Sequence, residues 1–145
     1  MIKNRSVPVD TLLPHVCYAN VAAAIQWLQT AFGFVEHYRY GNDPDGAQMH
    51  LGDAWIMLNQ EFPGRQSPLK AGAGTQFVTI YLQNVDEHYA RSRKAGAQIV
   101  EDLQDTIYGE RLYTAQDPEG HRWQFSQHVR DVSPEEFGAT MAESA

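Results

Sequence analysis

From residue 122 to residue 127 the chain alternates polar and large apolar side chains, Arg-Trp-Gln-Phe-Ser-Gln. That is the period-two pattern of a half-buried strand, here over 122–128. The preceding Asp117-Pro118-Glu119-Gly120 is turn chemistry: Pro118 presets φ and Gly120 admits the positive φ that closes the turn. Alternation puts neighbours on opposite faces. If Gln124 points into an interior, Trp123 packs beneath the helices.

The same kind of reading covers the rest of the chain. A first strand is expected over 11–18, with Leu13, His15 and Cys17 on one face and Leu12, Val16 and Tyr18 on the other; Pro14 suggests an edge or a bend. Asn20 is a good N-cap for a helix over 21–32, in which Ile25, Leu28 and Phe32 fall on one side and Gly33 stops it. Strands are expected over 34–40, 47–51 and 54–59, separated by Gly- and Asp-rich turns. Residues 60–75 are rich in Pro and Gly and show no period, which suggests a linker or a ligand lid. Then the order begins again. A strand over 77–82 precedes a helix that opens at Asn84-Val85 and stops at Gly96, and strands follow over 98–101, 110–116 and 122–128.

The halves echo one another. Asn20-Val21 matches Asn84-Val85, Gly33 matches Gly96, and Gly52-x-x-Trp55 matches Gly120-x-x-Trp123, at nearly constant spacing. A duplicated βαβββ unit is the economical explanation. The modules are then 11–59 and 76–130, with a lead-in over 1–10 and a C-terminal tail over 131–145. Ser133-Pro134-Glu135-Glu136 marks a short helix start in that tail. Neither module alone covers both faces of its sheet, so the two are expected to pair, within one chain or across a dimer.

Composition narrows the function. The net charge of −7 argues against a nucleic-acid partner and is compatible with a cationic ligand. Cys17 is the single cysteine, which rules out an intramolecular disulfide. With no apolar run of membrane-spanning length and no signal-peptide core, the expectation is a cytoplasmic domain.

The repeat, together with Ala31-Phe32-Gly33-Phe34, Trp55-Ile56-Met57-Leu58, Asn84-Val85-Asp86 and the 117–123 turn and strand start, resembles the vicinal oxygen chelate superfamily. This is the family of glyoxalase I, the bleomycin- and fosfomycin-resistance proteins and the extradiol dioxygenases. The resemblance implies an α+β fold of two βαβββ modules, curled sheets around a cavity, and a homodimer. In the family's enzymes it also implies a divalent metal, held by His, Gln or Glu from the first and last strands of each half, that stabilises an enolate-like anion. The matching positions here are Leu13 or His15, Ile56 or Met57, Phe77 (with Gln76 beside it), and Gln124. At most two of these can ligate and none is a carboxylate, so the family's metal centre is expected to be absent.

The leading expectation is therefore a metal-free small-molecule-binding protein of the bleomycin-resistance type. Its ligand, an antibiotic or a metabolite, would be met by His15, Cys17, His50, Trp55, Met57, Phe77, Tyr81, Glu110 and Gln124. The rival is a metal-dependent lyase, isomerase or dioxygenase with a rearranged site of His15, His50 and Gln124. A third possibility is an assembly module with a filled interior. His37, His88 and His128 read as surface residues and His121 as a structural turn residue. Glu110 with Arg111 reads either as a ligand contact or as a surface ion pair. Arg65 and Lys70 are candidates for an anionic group if the connector folds over the cavity.

Overall fold

The computed structural model describes residues 2–7 and 12–143. Part of the predicted lead-in, residue 1 and residues 8–10, lies outside the described residues, as do residue 11 of the first predicted strand and the last two residues of the tail. The chain divides into two compact units, Met1–Gly74 with Pro118–His121, and Thr75–Asp117 with Arg122–Ala145. The turn at 118–121 thus groups with the first unit although the strands on either side of it belong to the second.

The first unit runs β1 (His15–Tyr18), α1 (Val21–Phe32), β2 (Val35–Tyr40), β3 (Gly46–Leu51), β4 (Ala54–Gln60) and α2 (Pro68–Ala71). Its sheet has the order β1-β4-β3-β2, with β1 parallel to β4 and the other pairs antiparallel. Asn20 starts α1 as its pattern requires: its side chain accepts from Ala23 N at 3.0 Å. Gly33 ends the helix at φ 82°, and its N–H reaches Gln29 O at 3.1 Å. Between these caps Ile25, Leu28, Ala31 and Phe32 bury one stripe, and Val16, Ala47, Met49, Ile56 and Leu58 line the buried face of the sheet that α1 packs against. Each large side chain so buried contributes about 1.5–3 kcal/mol. Leu28→Ala, at a fully buried position, would therefore cost about 2–5 kcal/mol.

The second unit repeats the order: β5 (Val78–Tyr81), α3 (Val85–Lys94), β6 (Gln98–Asp105), β7 (Glu110–Gln116) and β8 (Arg122–His128), with the sheet order β5-β8-β7-β6. A single 3-10 turn, Pro134–Phe137, follows. Asn84 caps α3 as Asn20 caps α1, accepting from Glu87 N at 3.1 Å. Trp123 and Phe125 face the buried side with Ile80, Tyr113 and Ala115, and the Trp123 indole donates to the buried Asp117 carboxylate at 3.1 Å.

The structure differs from the sequence-based expectations in several places. β1 begins at His15, because Pro14 has no N–H to give a ladder; its carbonyl still accepts from Met57 N at 2.9 Å. β6 runs four residues past the expected 101, to Asp105, and register shifts between Ile99 and Glu101 and between Glu101 and Gln104 break the alternation that would have revealed it. The connector has structure of its own: a Phe62–Arg65 bridge across Pro63-Gly64, the helical turn α2, and Glu61 Oε2 accepting from Ser67 N at 2.8 Å. Lys70 is taken up by Glu61 at 3.1 Å, and the Arg65 guanidinium lies 4.7 Å over the Phe62 ring.

The turn over 118–121 is pinned through Glu119 and His121. Glu119 accepts from Ala19 N at 2.6 Å and Asn20 N at 3.0 Å, at the foot of α1. The Glu119 carbonyl takes Leu69 N at 3.0 Å, and His121 Nε2 donates to Cys17 O at 2.6 Å while its ring meets Tyr18 edge-on. Gly120 sits at φ 93°, and a Cβ there would come within 2.9 Å of Leu69 N, so close approach to α2 needs a glycine.

Candidate functional site

With α1 and the core on one face, pairing register places the remaining side chains of the first sheet on the other. His15, Met57 and Gln48 form one row across β1, β4 and β3. Cys17, Asn59 and Gly46 form the next, and Trp55 and His50 a third. The rows are tied by side-chain hydrogen bonds. His15 Nδ1 meets Asn59 Oδ1 at 2.8 Å, and Asn59 Nδ2 donates to Tyr40 Oη at 3.4 Å. Gly46 permits this, since a Cβ there would collide with the Tyr40 ring. His37 Nδ1 meets Gln48 Oε1 at 2.6 Å, and the Gln48 amide donates to Met57 Sδ at 3.5 Å. His50 donates Nδ1–H to Gly52 O at 3.0 Å and stacks on Trp55 at 4.4 Å, while His37 meets the same indole edge-on.

The second sheet carries a longer polar chain on its corresponding face. Thr79 Oγ1 donates to Gln124 Oε1 at 2.9 Å, Gln124 Nε2 to Thr114 Oγ1 at 3.5 Å, and Thr114 Oγ1 to Glu101 Oε1 at 2.7 Å. One pleat along, Tyr81 is in register with Ser126 and stands exposed. Next come Glu110 and His128, paired at 3.1 Å.

Register also decides which residues are equivalent between the halves. His15 is paired with Met57, and Thr79 with Gln124. In register with Gln124 stands Thr79, two residues beyond the Phe77 read from the sequence. Phe77 precedes β5 and is exposed, one pleat away. Of the alternatives in the first half, Ile56 points to the buried face under α1, and Met57 faces the other way in register with His15.

These residues do not fit a resident divalent metal. The four positions offer an imidazole, a thioether, a hydroxyl and an amide, without a carboxylate. His15 and His50 are separated by the width of β4, about 10 Å between flanking strands, and by one pleat along them. Each ring is turned to a partner of its own, His15 to Asn59 and His50 to the Gly52 carbonyl. Among the described residues, no three His, Cys, Asp or Glu side chains gather into a metal-holding group. At Cys17, burial first and then the Glu61 carboxylate push the thiol up, away from the thiolate form, and Sγ rests 3.6 Å from Arg65 O.

Two other expectations need correction. Glu110 and Arg111 do not pair. Alternation sends them to opposite faces, where Glu110 meets Ser126 and His128, and Arg111 meets Asp105 at 2.7 Å and Asp86 at 3.2 Å. His88, read as a surface residue, is half-buried against Phe125 at 4.2 Å and hydrogen-bonds Tyr113 Oη at 2.6 Å. His37 and His128 are exposed as expected, yet each contacts a buried polar side chain, Gln48 and Glu110 respectively. The residues sequence reasoning passed over (Gln48, Asn59, Thr79, Glu101, Thr114, Ser126) are uncharged or exposed polar side chains. Their only signal was alternation with core neighbours.

The sequence matches the Glyoxalase/Bleomycin resistance protein/Dioxygenase superfamily over residues 11–125, and the chain belongs to it. It is 35% identical over 140 residues to the uncharacterized protein Rv0887c of Mycobacterium tuberculosis (strain ATCC 25618 / H37Rv), covering 90% of this chain and 82% of that protein. It is equally similar to the uncharacterized protein Mb0911c of Mycobacterium bovis, at 35% over 140 residues, 90% of this chain and 91% of the relative. The crystal structure of TioX from Micromonospora sp. ML1 matches with a TM-score of 0.68 and 31% identity, over 81% of this chain and 98% of TioX. The fosfomycin resistance protein FosX from Listeria monocytogenes shares the fold, with a TM-score of 0.61 at 15% identity over 86% of this chain and 94% of FosX. No described helix is long and apolar enough to cross a membrane.

Proposed function

We propose that this protein binds a small molecule on the faces of its sheets turned away from the helices, without a metal and without bond chemistry, as a cytoplasmic homodimer of the bleomycin-resistance kind. The observation that carries the reading is the set His15, Met57, Thr79 and Gln124 at the paired strand positions. None of the four is a carboxylate that could hold a Lewis acid, and both His15 and Gln124 are already tied to neutral neighbours. What these faces do offer suits recognition. On the first sheet's face Trp55 supplies aromatic surface and His15 and His50 supply hydrogen-bonding groups; on the second's, Phe77 and Tyr81 supply aromatic surface and Glu110 and Gln124 supply hydrogen-bonding groups. Met57 and Cys17 fill the floor of the first sheet's face as small or flexible apolar groups. An aromatic or cationic antibiotic or metabolite is the ligand class this surface matches. The test is a thermal-shift and tryptophan-fluorescence screen over chemically diverse compounds. A ligand that raises the melting temperature and perturbs Trp55 emission, with both effects lost in Trp55→Ala, supports the reading. A screen in which no compound stabilises the wild-type protein counts against it.

A further inference from the structure

Glu110 is 9% exposed, and among the described residues it has no Lys or Arg partner. Ser126 Oγ donates to its Oε2 at 3.2 Å, and His128 Nδ1 lies 3.1 Å from its Oε1. A carboxylate this buried is rarely left without a strong cation, because withdrawing the charge from water is unfavourable. Arg111, its neighbour in sequence, does not serve. It points to the opposite face and is held there by Asp105 and Asp86. His128 is itself half exposed, and a ligand can displace it from the carboxylate. On the same face Tyr81 lies in register with Ser126, with 65% of its surface in water. A buried carboxylate and an exposed phenol ring on one sheet face, with the Ser126 strand between them, are a combination that an organic cation on a small molecule can meet through charge and cation–π attraction together. The net charge of −7 adds long-range attraction for such a ligand.

We propose that Glu110, Ser126, His128 and Tyr81 form a subsite for an organic cation, an ammonium or guanidinium group carried on a small molecule. This rests on the ligand-binding reading above and names the chemistry of one part of the ligand. The experiment compares benzyltrimethylammonium with its uncharged carbon isostere, neopentylbenzene, by NMR titration of the intact protein. The cation is expected to bind about tenfold more tightly than the isostere. Its shifts should centre on residues 109–112 and 126–128 and on Tyr81. Glu110→Gln keeps the shape, removes the charge and turns one of the two accepted hydrogen bonds into a donated one, and it should abolish the preference for the cation while leaving the melting temperature unchanged or higher. Equal affinity for the two probes, shifts centred elsewhere, or no binding of the cation would overturn the subsite. A Glu110→Gln variant that loses stability and keeps the cation preference would overturn it as well, by making the carboxylate a structural group. None of these outcomes touches the response of Trp55 in the other sheet, so the broader reading fails or stands separately.

Discussion

The Thr79 hydroxyl donates to the Gln124 amide oxygen at 2.9 Å, where β5 and β8 run side by side. Gln124 passes the chain on through Thr114 to Glu101, so both ends of its amide are engaged. If these two are the metal-ligand positions left vacant in this chain, refilling them has a defined consequence. Gln124→Glu alone should gain no stoichiometric Zn²⁺ or Mn²⁺, because its paired neighbour is a hydroxyl. Thr79→His with Gln124→Glu should raise uptake measurably above wild type in equilibrium dialysis. No rise in the double variant would show that the positions have been misassigned.

Trp55 and Trp123 sit at the same place in a sequence echo yet face opposite ways. β3 and β4 are joined across Gly52 and Asp53, whereas β7 and β8 are joined across residues 117–121, a difference of an odd number of residues that flips the strand. Trp123 is buried and bonded to Asp117, and Trp55 lies on the face away from the helix against His50. Trp123→Ala is expected to cost about 3–5 kcal/mol in urea unfolding, and Trp55→Ala about 1 kcal/mol. Similar losses from both would contradict the face assignment.

Glu119 contributes to stability from far along the chain. Its carboxylate accepts two main-chain N–H groups, those of Ala19 and Asn20, which no partner in α1 satisfies. Glu119→Ala should destabilise by about 1–2 kcal/mol, and Glu119→Gln by about half as much, because an amide oxygen is a weaker acceptor. Denaturant midpoints read the difference directly, and a neutral Glu119→Ala would exclude the clamp.

Acid sensitivity should come from paired surface carboxylates. Hydrogen bonds from Arg111, assisted by its charge and that of Arg130, hold Asp105 below the usual aspartate range. Arg39 does the same for Glu36, chiefly through their hydrogen bonds. A carboxyl group with a depressed folded-state pKa adds stability above its unfolded pKa and loses it as pH falls through the folded one. Stability should therefore decline from about pH 4 towards about pH 2, less steeply in high salt because these groups are exposed. Arg111→Gln should flatten the slope in thermal melts across that window. An unchanged slope would show that the Asp105 pair is not a source of it.

Local rules made much of this architecture legible. Asn20 and Asn84 cap the helices, Gly33 ends α1, and plain alternation marks β8. β6 escaped because its bulges interrupt the period, and the pairing of Thr79 with Gln124 was not readable because strand register is set by the partner strand and not by counting from a helix. The Glu119 clamp could not be read locally, since its partners lie near residue 20. His88 looked like a surface residue because its own helix is strongly polar. Its burial comes from Phe125 and Tyr113 on two strands. The absence of carboxylates from the paired positions was visible in residue types alone, whereas the polar chain from Thr79 to Glu101 needed three dimensions.

The most direct test of the central claim is elemental analysis of untagged protein, purified without chelator and then offered Ni²⁺, Zn²⁺, Mn²⁺ and Fe²⁺ separately. The donor set at His15, Met57, Thr79 and Gln124 leads us to expect far less than one equivalent of any metal after desalting. Retention of one metal near one equivalent per chain, lost in His15→Ala, would contradict the account and put metal-dependent catalysis in its place.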